Sequence, residues 1–312
     1  MRKVSMILGL LSFALAGSAR AQNEAAPPVI ENTAPPALDA NGAPVAAPEA
    51  APAPAPVAAS GYPDEYALRP LTLAGGTFQA TVPVVLNLSK NAVLKPVWIP
   101  LDLRYGVNDQ LELFVSHNIH ATPLAFGGGG LCLGGKDRGC TKSNGDSSFY
   151  NNLNVGAQFS LTKSGGIELS GIGALEIREI SPDLLAAIDV GVGFKYVGAP
   201  VSIKAAPMIG IGVTKRSADN NKEFISVPVQ LAFQASPQLA AFIDTGIFGP
   251  TSHFGDLYAL PVGIGASFLA SHGLDVGAEF MLPALVAGSA YVSDAKGVNV
   301  RTLMVFAAYR TN

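Results

Sequence analysis

The stretch Glu223-Phe-Ile-Ser-Val-Pro-Val-Gln-Leu-Ala-Phe-Gln-Ala-Ser-Pro-Gln-Leu-Ala-Ala-Phe-Ile-Asp-Thr-Gly-Ile-Phe248 decides how the chain is read. Ile225, Val227, Val229, Leu231 and Phe233 take alternate positions, and Ser226, Pro228, Gln230, Ala232 and Gln234 fill the gaps. Side chains of a strand alternate between two faces, so this is one apolar face and one polar or small face. Ser236-Pro237 marks a tight turn, and a second strand follows with Asp244 among apolar residues. The same unit recurs to the C-terminus. It predicts an all-β fold: a closed antiparallel up-and-down transmembrane β-barrel of about 12 strands.

Composition supports lipid as the outer solvent. Of 312 residues, 49% are hydrophobic and only 14% charged, against about 25% charged in soluble domains. No stretch after the N-terminal leader reaches the roughly 18 apolar residues of a membrane helix. A barrel reconciles the two, because lumenal residues dilute the apolar ones. The 34 glycines suit crowded walls and tight turns and disfavour helix.

Residues 1–21 read as a secretory signal peptide. Arg2 and Lys3 precede an apolar run, and Ala19-Arg20-Ala21 is an A-x-A cleavage site. Removal leaves 17 basic against 23 acidic residues, a net charge of −6, which excludes a basic nucleic-acid surface. Residues 22–61 are Ala/Pro-rich, lack aromatics and read as a disordered linker, a spacer or a periplasmic contact. Residues 62–312 form the barrel. Strands are expected at 71–88, 97–105, 110–119, 149–161, 167–177, 184–196, 201–213, 223–234, 238–248, 257–269, 274–282 and 298–309. Their connections alternate long and short, the asymmetry of outer-membrane barrels with short periplasmic turns. An even strand number puts both termini in the periplasm. Pro83, Pro100, Pro207, Pro228 and Pro261 fall inside these strands, where a closed barrel has no edge for them.

The faces sort by chemistry. Leu153, Val155, Ala157, Phe159 and Leu161 share one face, and Ile188, Val190, Val192, Phe194 and Tyr196 another. Charge on the lipid face is costly. Asp102, Arg104, Glu112, Glu168, Asp189, Lys195, Lys204, Asp244, Glu279 and Arg301 are therefore assigned to the lumen. Mixed signs fit either a wetted pore or a salt-bridged plug. Cys132 and Cys140 lie in the longest loop of an exported chain and are expected to form a disulfide, worth about 2.5 kcal/mol by loop entropy. No cofactor, metal site or catalytic residue is indicated. His117 and His120 do not pair for a metal, the glycine runs lack a phosphate-loop ending, and Ser116-His117 point apart.

Pro100-Leu-Asp-Leu-Arg-Tyr-Gly-Val-Asn-Asp-Gln-Leu-Glu-Leu113 resembles a strand–turn–strand of small outer-membrane barrels, including the porin-like MetA-pathway phenol-degradation family. The resemblance implies a barrel and a transport role, and it carries no binding residue. The expectation is an outer-membrane barrel embedded in lipid, acting as a passive pore for a small solute. The alternative is a sealed structural or interaction barrel with functional outer loops and periplasmic tail. A barrel-borne hydrolase ranks last.

Overall fold

A computed structural model describes residues 62–90, 92–117, 130–135, 140, 149–180, 183–217 and 221–311. The signal peptide, the Ala/Pro linker, His120 and the first glycines of the run at 127–130 lie outside the described residues. The strands are β1 (Phe78–Asn87), β2 (Val97–Ile99), β3 (Asp102–Asn108), β4 (Leu111–Ser116), β5 (Gly130–Leu133), β6 (Tyr150–Asn151), β7 (Leu153–Ser164), β8 (Ile167–Glu179), β9 (Leu185–Gly198), β10 (Val201–Ala205), β11 (Met208–Gly212), β12 (Phe224–Gln234), β13 (Leu239–Pro250), β14 (Ala259–Ser271), β15 (Leu274–Ala287) and β16 (Thr302–Arg310).

Every pairing is antiparallel, and β1 closes on β16, from Gln79 opposite Arg310 to Asn87 opposite Thr302. β10 and β11 both lie between β9 and β12 and form one span. β2, β5 and β6 make a small flap that starts on Val85 and Leu86. The wall is thus a closed barrel of twelve strands. Closure satisfies the backbone of every wall strand without an exposed edge, which lipid demands. The short connections lie together at one end, and Tyr62 and Thr311 both emerge there.

Alternation sets the two faces. Along β9, Val190, Val192 and Tyr196 are exposed while Asp189 and Lys195 are buried. Along β7, Val155 and Leu161 are exposed and Asn154 and Gln158 buried. The outward belt is apolar and the inward face holds the charge.

Three expected strands are interrupted, each for a local reason. The span 97–105 divides into β2 and β3 at Pro100, and 149–161 divides into β6 and β7 at Asn152, whose φ is 57°. The span 201–213 breaks at Ala206-Pro207. The other prolines also sit where the ladder tolerates them. Pro83 falls where the partner of β1 changes from β3 to β2. Pro261 lies at the register shift between Leu260 and Val262. Pro228 faces Gly246, where a Cβ would come within 2.5 Å of the Val227 oxygen. The first expected strand, 71–88, begins only at Phe78, because residues 71–77 turn inward (below).

Cys132 and Cys140 are joined by a disulfide, and Cys132 stands opposite Trp98 across the flap.

A lipid belt makes outward charge depth-dependent. Val190→Arg, in the middle of β9, is expected to cost about 2–4 kcal/mol of folding free energy and Tyr196→Arg, near its end, about 0–1 kcal/mol. Denaturant titration in lipid vesicles measures both.

Candidate functional site

Residues 62–77 do not join the wall. They run inside the barrel at the short-turn end, with one 3-10 turn at Tyr66–Leu68. An irregular backbone in a lumen must find partners for its amides and carbonyls, and inward side chains supply them. The Ala67 amide donates to Gln234 Oε1 at 3.0 Å, the Leu71 amide to Glu168 Oε2 at 2.7 Å and the Leu73 amide to Glu112 Oε2 at 2.8 Å. Lys195 Nζ donates to the Arg69 carbonyl. Gly76 N donates to the Gly106 carbonyl at 2.7 Å. Gly106 has to be small here, since a Cβ would meet the Ala74 oxygen at 2.0 Å.

Side chains of the segment then clamp onto the wall. Arg69 binds Asp275 through two hydrogen bonds, both 2.8 Å, and Arg310 donates to the same carboxylate. Asp275 and Arg310 are each 2% exposed, so this is a buried cation–anion–cation bridge. Tyr66 donates to Gln230 Oε1 at 3.2 Å and stacks on Phe242 at 5.6 Å between centroids. Asp64 holds His272 at 2.5 Å. Burial pushes the Tyr62 phenol up to about 12 and raises Tyr66 as well, so both stay neutral. Burial raises the Asp64 carboxyl too, but hydrogen bonds from His272 and the Gly273 amide outweigh it and hold it below its ordinary range.

The wall behind the segment carries charge in rows. Glu168 stands opposite Lys195, Lys195 opposite Lys204, Lys204 opposite Gln230 and Gln230 opposite Asp244. The Gln230 amide nitrogen donates to both Asp244 oxygens at 3.1 and 3.2 Å. On the other side Arg104 spans two acids, with Nε to Asp102 at 2.7 Å and Nη1 to Glu112 at 2.8 Å. Asp189 and Glu279 are buried on the inward face, Asp189 opposite Ala174 and Gly210, and Glu279 against Gly263. Arg301 stands apart. It precedes β16, and its Nε donates to the Leu88 carbonyl at 2.8 Å at the long-connection end. A cavity of about 260 Å³ lies between the segment and the wall.

Farther toward the long connections an apolar cluster fills part of the lumen. Phe114, Ile172, Met208, Phe224, Phe248 and Met281 form one buried cluster, and Tyr291 of the last loop packs on it. Arg178 binds Glu176 at 2.7 Å and the Lys222 carbonyl at 3.0 Å, tying the loop before β12 to β8. His117 meets the Leu101 carbonyl at 2.7 Å and the Tyr150 hydroxyl at 2.5 Å.

Sequence reasoning missed the clamp. Arg69 sat in a stretch with no strand pattern. Asp275 has inward parity, and Arg310, which follows the last aromatic, faces inward to meet it. Parity along β15 places Asp275 on the lumenal face already in the sequence, and the same rule extended along β16 would have added Arg310.

The architecture is that of a porin-type membrane barrel. The NanC porin shares it with a TM-score of 0.52 at 5% identity, covering 74% of this chain and 98% of that one. An outer-membrane channel from Pseudomonas putida F1 aligns at 0.48 and 11% identity, over 77% and 97% of the two chains. The KdgM porin aligns at 0.47 and 9%, over 75% and 99%. No protein-family model and no curated protein matches the chain.

Two outcomes follow from the clamp. Asp275→Asn leaves two guanidinium groups short of their buried anion and is expected to cost about 3–5 kcal/mol. Chymotryptic cleavage after Tyr66 should accelerate while the barrel keeps its heat-dependent gel mobility. The Asp64 carboxyl, lowered in the folded state, stabilises docking above its unfolded pKa of about 3.9 and loses this as pH falls through its folded value. Hydrogen exchange at residues 62–68 should therefore rise on acidification below about pH 4, and less so in Asp64→Asn.

Proposed function

We propose that the chain is a channel for small molecules in the outer membrane, with its short turns and both termini in the periplasm. The outward apolar belt meets membrane lipid, and the Ala/Pro linker extends into the periplasm. No catalytic role is assigned. The observation that carries the reading is the inward segment. It is a strand-free stretch lodged in a closed barrel, held by side-chain contacts rather than by the ladder, and it borders a cavity.

Such a segment narrows the inner mouth without forming part of the wall. The barrel closes through β1 and β16 and not through residues 62–77. Withdrawal of the segment would widen the bore and leave the wall intact. Barrels of eight strands are filled by side chains, and those of sixteen leave an aqueous channel. A twelve-strand wall lies between, so an added segment decides whether the bore conducts. Likeness to the NanC porin supports the barrel on which this reading stands.

Planar-bilayer recording tests it. The full chain is expected to give small, infrequent steps, and a variant lacking residues 62–76 larger and more frequent ones. Lys195→Glu in the shortened variant should shift ion selectivity toward cations. Folded protein without steps in either form would sink the channel and turn attention to a sealed barrel.

A further inference from the structure

The cavity beneath the inward segment is lined by five basic and three acidic side chains, in a chain whose net charge is negative. Its three carboxylates are committed within the protein. Asp102 accepts two hydrogen bonds from Arg104, Glu112 holds Arg104 and the Leu73 amide, and Asp275 holds Arg69 and Arg310. Lys195 is committed to the Arg69 carbonyl. Lys204 differs. It lines the cavity half-buried, and among the described residues no hydrogen bond or ion pair engages its ammonium. Asp244, two places along the row, is taken by the Gln230 amide.

An apolar wall borders the same space. Tyr66 stacks on Phe242, and Phe306 packs against the same buried cluster. Gln230 links the two sides, since it stands opposite Lys204 and accepts the Tyr66 hydroxyl. The carboxylates of Asp244, Glu112 and Asp102 attract the Lys204 ammonium from a distance, but no hydrogen bond to it is made among the described residues, and a carboxylate hydrogen-bonded to it recovers part of the cost of withdrawing it from water. The side chains that line the cavity carry two more positive than negative charges and disfavour a cation there, with Asp244 and Glu279 near Tyr66 acting against this. Pockets for drug-sized ligands run to about 300–1,000 Å³, and this one is smaller.

We propose that this cavity binds a small organic anion, a carboxylate on a ring-sized apolar body. The carboxylate sits on Lys204, and the body lies against Tyr66, Phe242 and Phe306. The site deepens the channel reading and rests on it, as the place where a solute pauses at the inner mouth.

Sodium benzoate is the probe, beside neutral benzyl alcohol and cationic benzylamine. Equilibrium dialysis against the full-length protein in detergent gives the three affinities. Benzoate is expected to bind at least about tenfold more tightly than benzyl alcohol, as a charge-assisted contact allows, with benzylamine weakest. Lys204→Gln should abolish the preference, and Lys204→Arg should keep most of it. Equal binding of the three probes, or benzoate affinity unchanged in Lys204→Gln, overturns the site. Heat-dependent gel mobility verifies that each variant is folded. If Lys204→Gln does not fold, the wild-type ranking decides alone. Bilayer recording on the same preparations separates the two readings. A conducting protein without benzoate preference loses only the anion site, and a benzoate-binding protein that conducts in neither form loses only the channel.

Discussion

The short-turn end of the barrel depends on one constraint: the backbone of an irregular segment inside a barrel has to be hydrogen-bonded by side chains. Strands of the wall satisfy one another, but residues 62–77 have no such neighbour. Glu112, Glu168, Lys195 and Gln234 meet that need, each from a different strand. A buried amide left without a partner costs about 1–3 kcal/mol, so several such contacts decide whether the segment stays. The lumenal charges therefore have a structural role that does not require solute. The segment is thereby held independently of the ladder that closes the wall.

Arginine gives this arrangement its directionality. Its planar fork can grip two acceptors at fixed angles, which a lysine cannot. Arg104 uses the fork to join Asp102 of its own strand to Glu112 of the next, and Glu112 keeps its other oxygen for the Leu73 amide. Arg69 uses it on both oxygens of Asp275. The lysines act as point charges instead. One reaches a carbonyl of the segment, and the other remains turned to the cavity. The bidentate clamps are thus made by arginine, while the lysines make single contacts or none.

The barrel was legible in the sequence because its pattern is local. Period-two alternation in stretches such as 223–234 and 184–196 specifies both the strand and its faces, and the order of long and short connections specifies how strands follow one another. Breaks were less legible. Proline marks a missing donor but not which neighbour tolerates it, and that depends on register, as with Pro83 between two partners and Pro261 at a shift. The inward segment was illegible for a different reason. Many of its contacts join residues far apart in the chain, as with Leu71 and Glu168 or Arg69 and Asp275, and no periodicity records such pairs. Gly75-Gly76 interrupts the pattern there, but nothing in the sequence shows where the chain then goes.

Glycine content shows the same division between composition and pairing. An abundance of glycine suggests a crowded wall, but not what crowds it. On the inward face, a Cβ at Gly265 would meet the Phe242 ring at 2.4 Å, one at Gly277 the Phe306 ring at 2.2 Å and one at Gly156 the Phe114 ring at 2.5 Å. Each aromatic lies flat over a glycine of the adjacent strand instead of projecting across the bore. Two of these rings, Phe242 and Phe306, are the ones that border the cavity with Tyr66. A larger residue at Gly265 or Gly277 would lift its ring into that space. Glycines beneath these rings therefore help to set the space beside the segment, and a change at Gly265 would reach the clamp through the Tyr66–Phe242 stack.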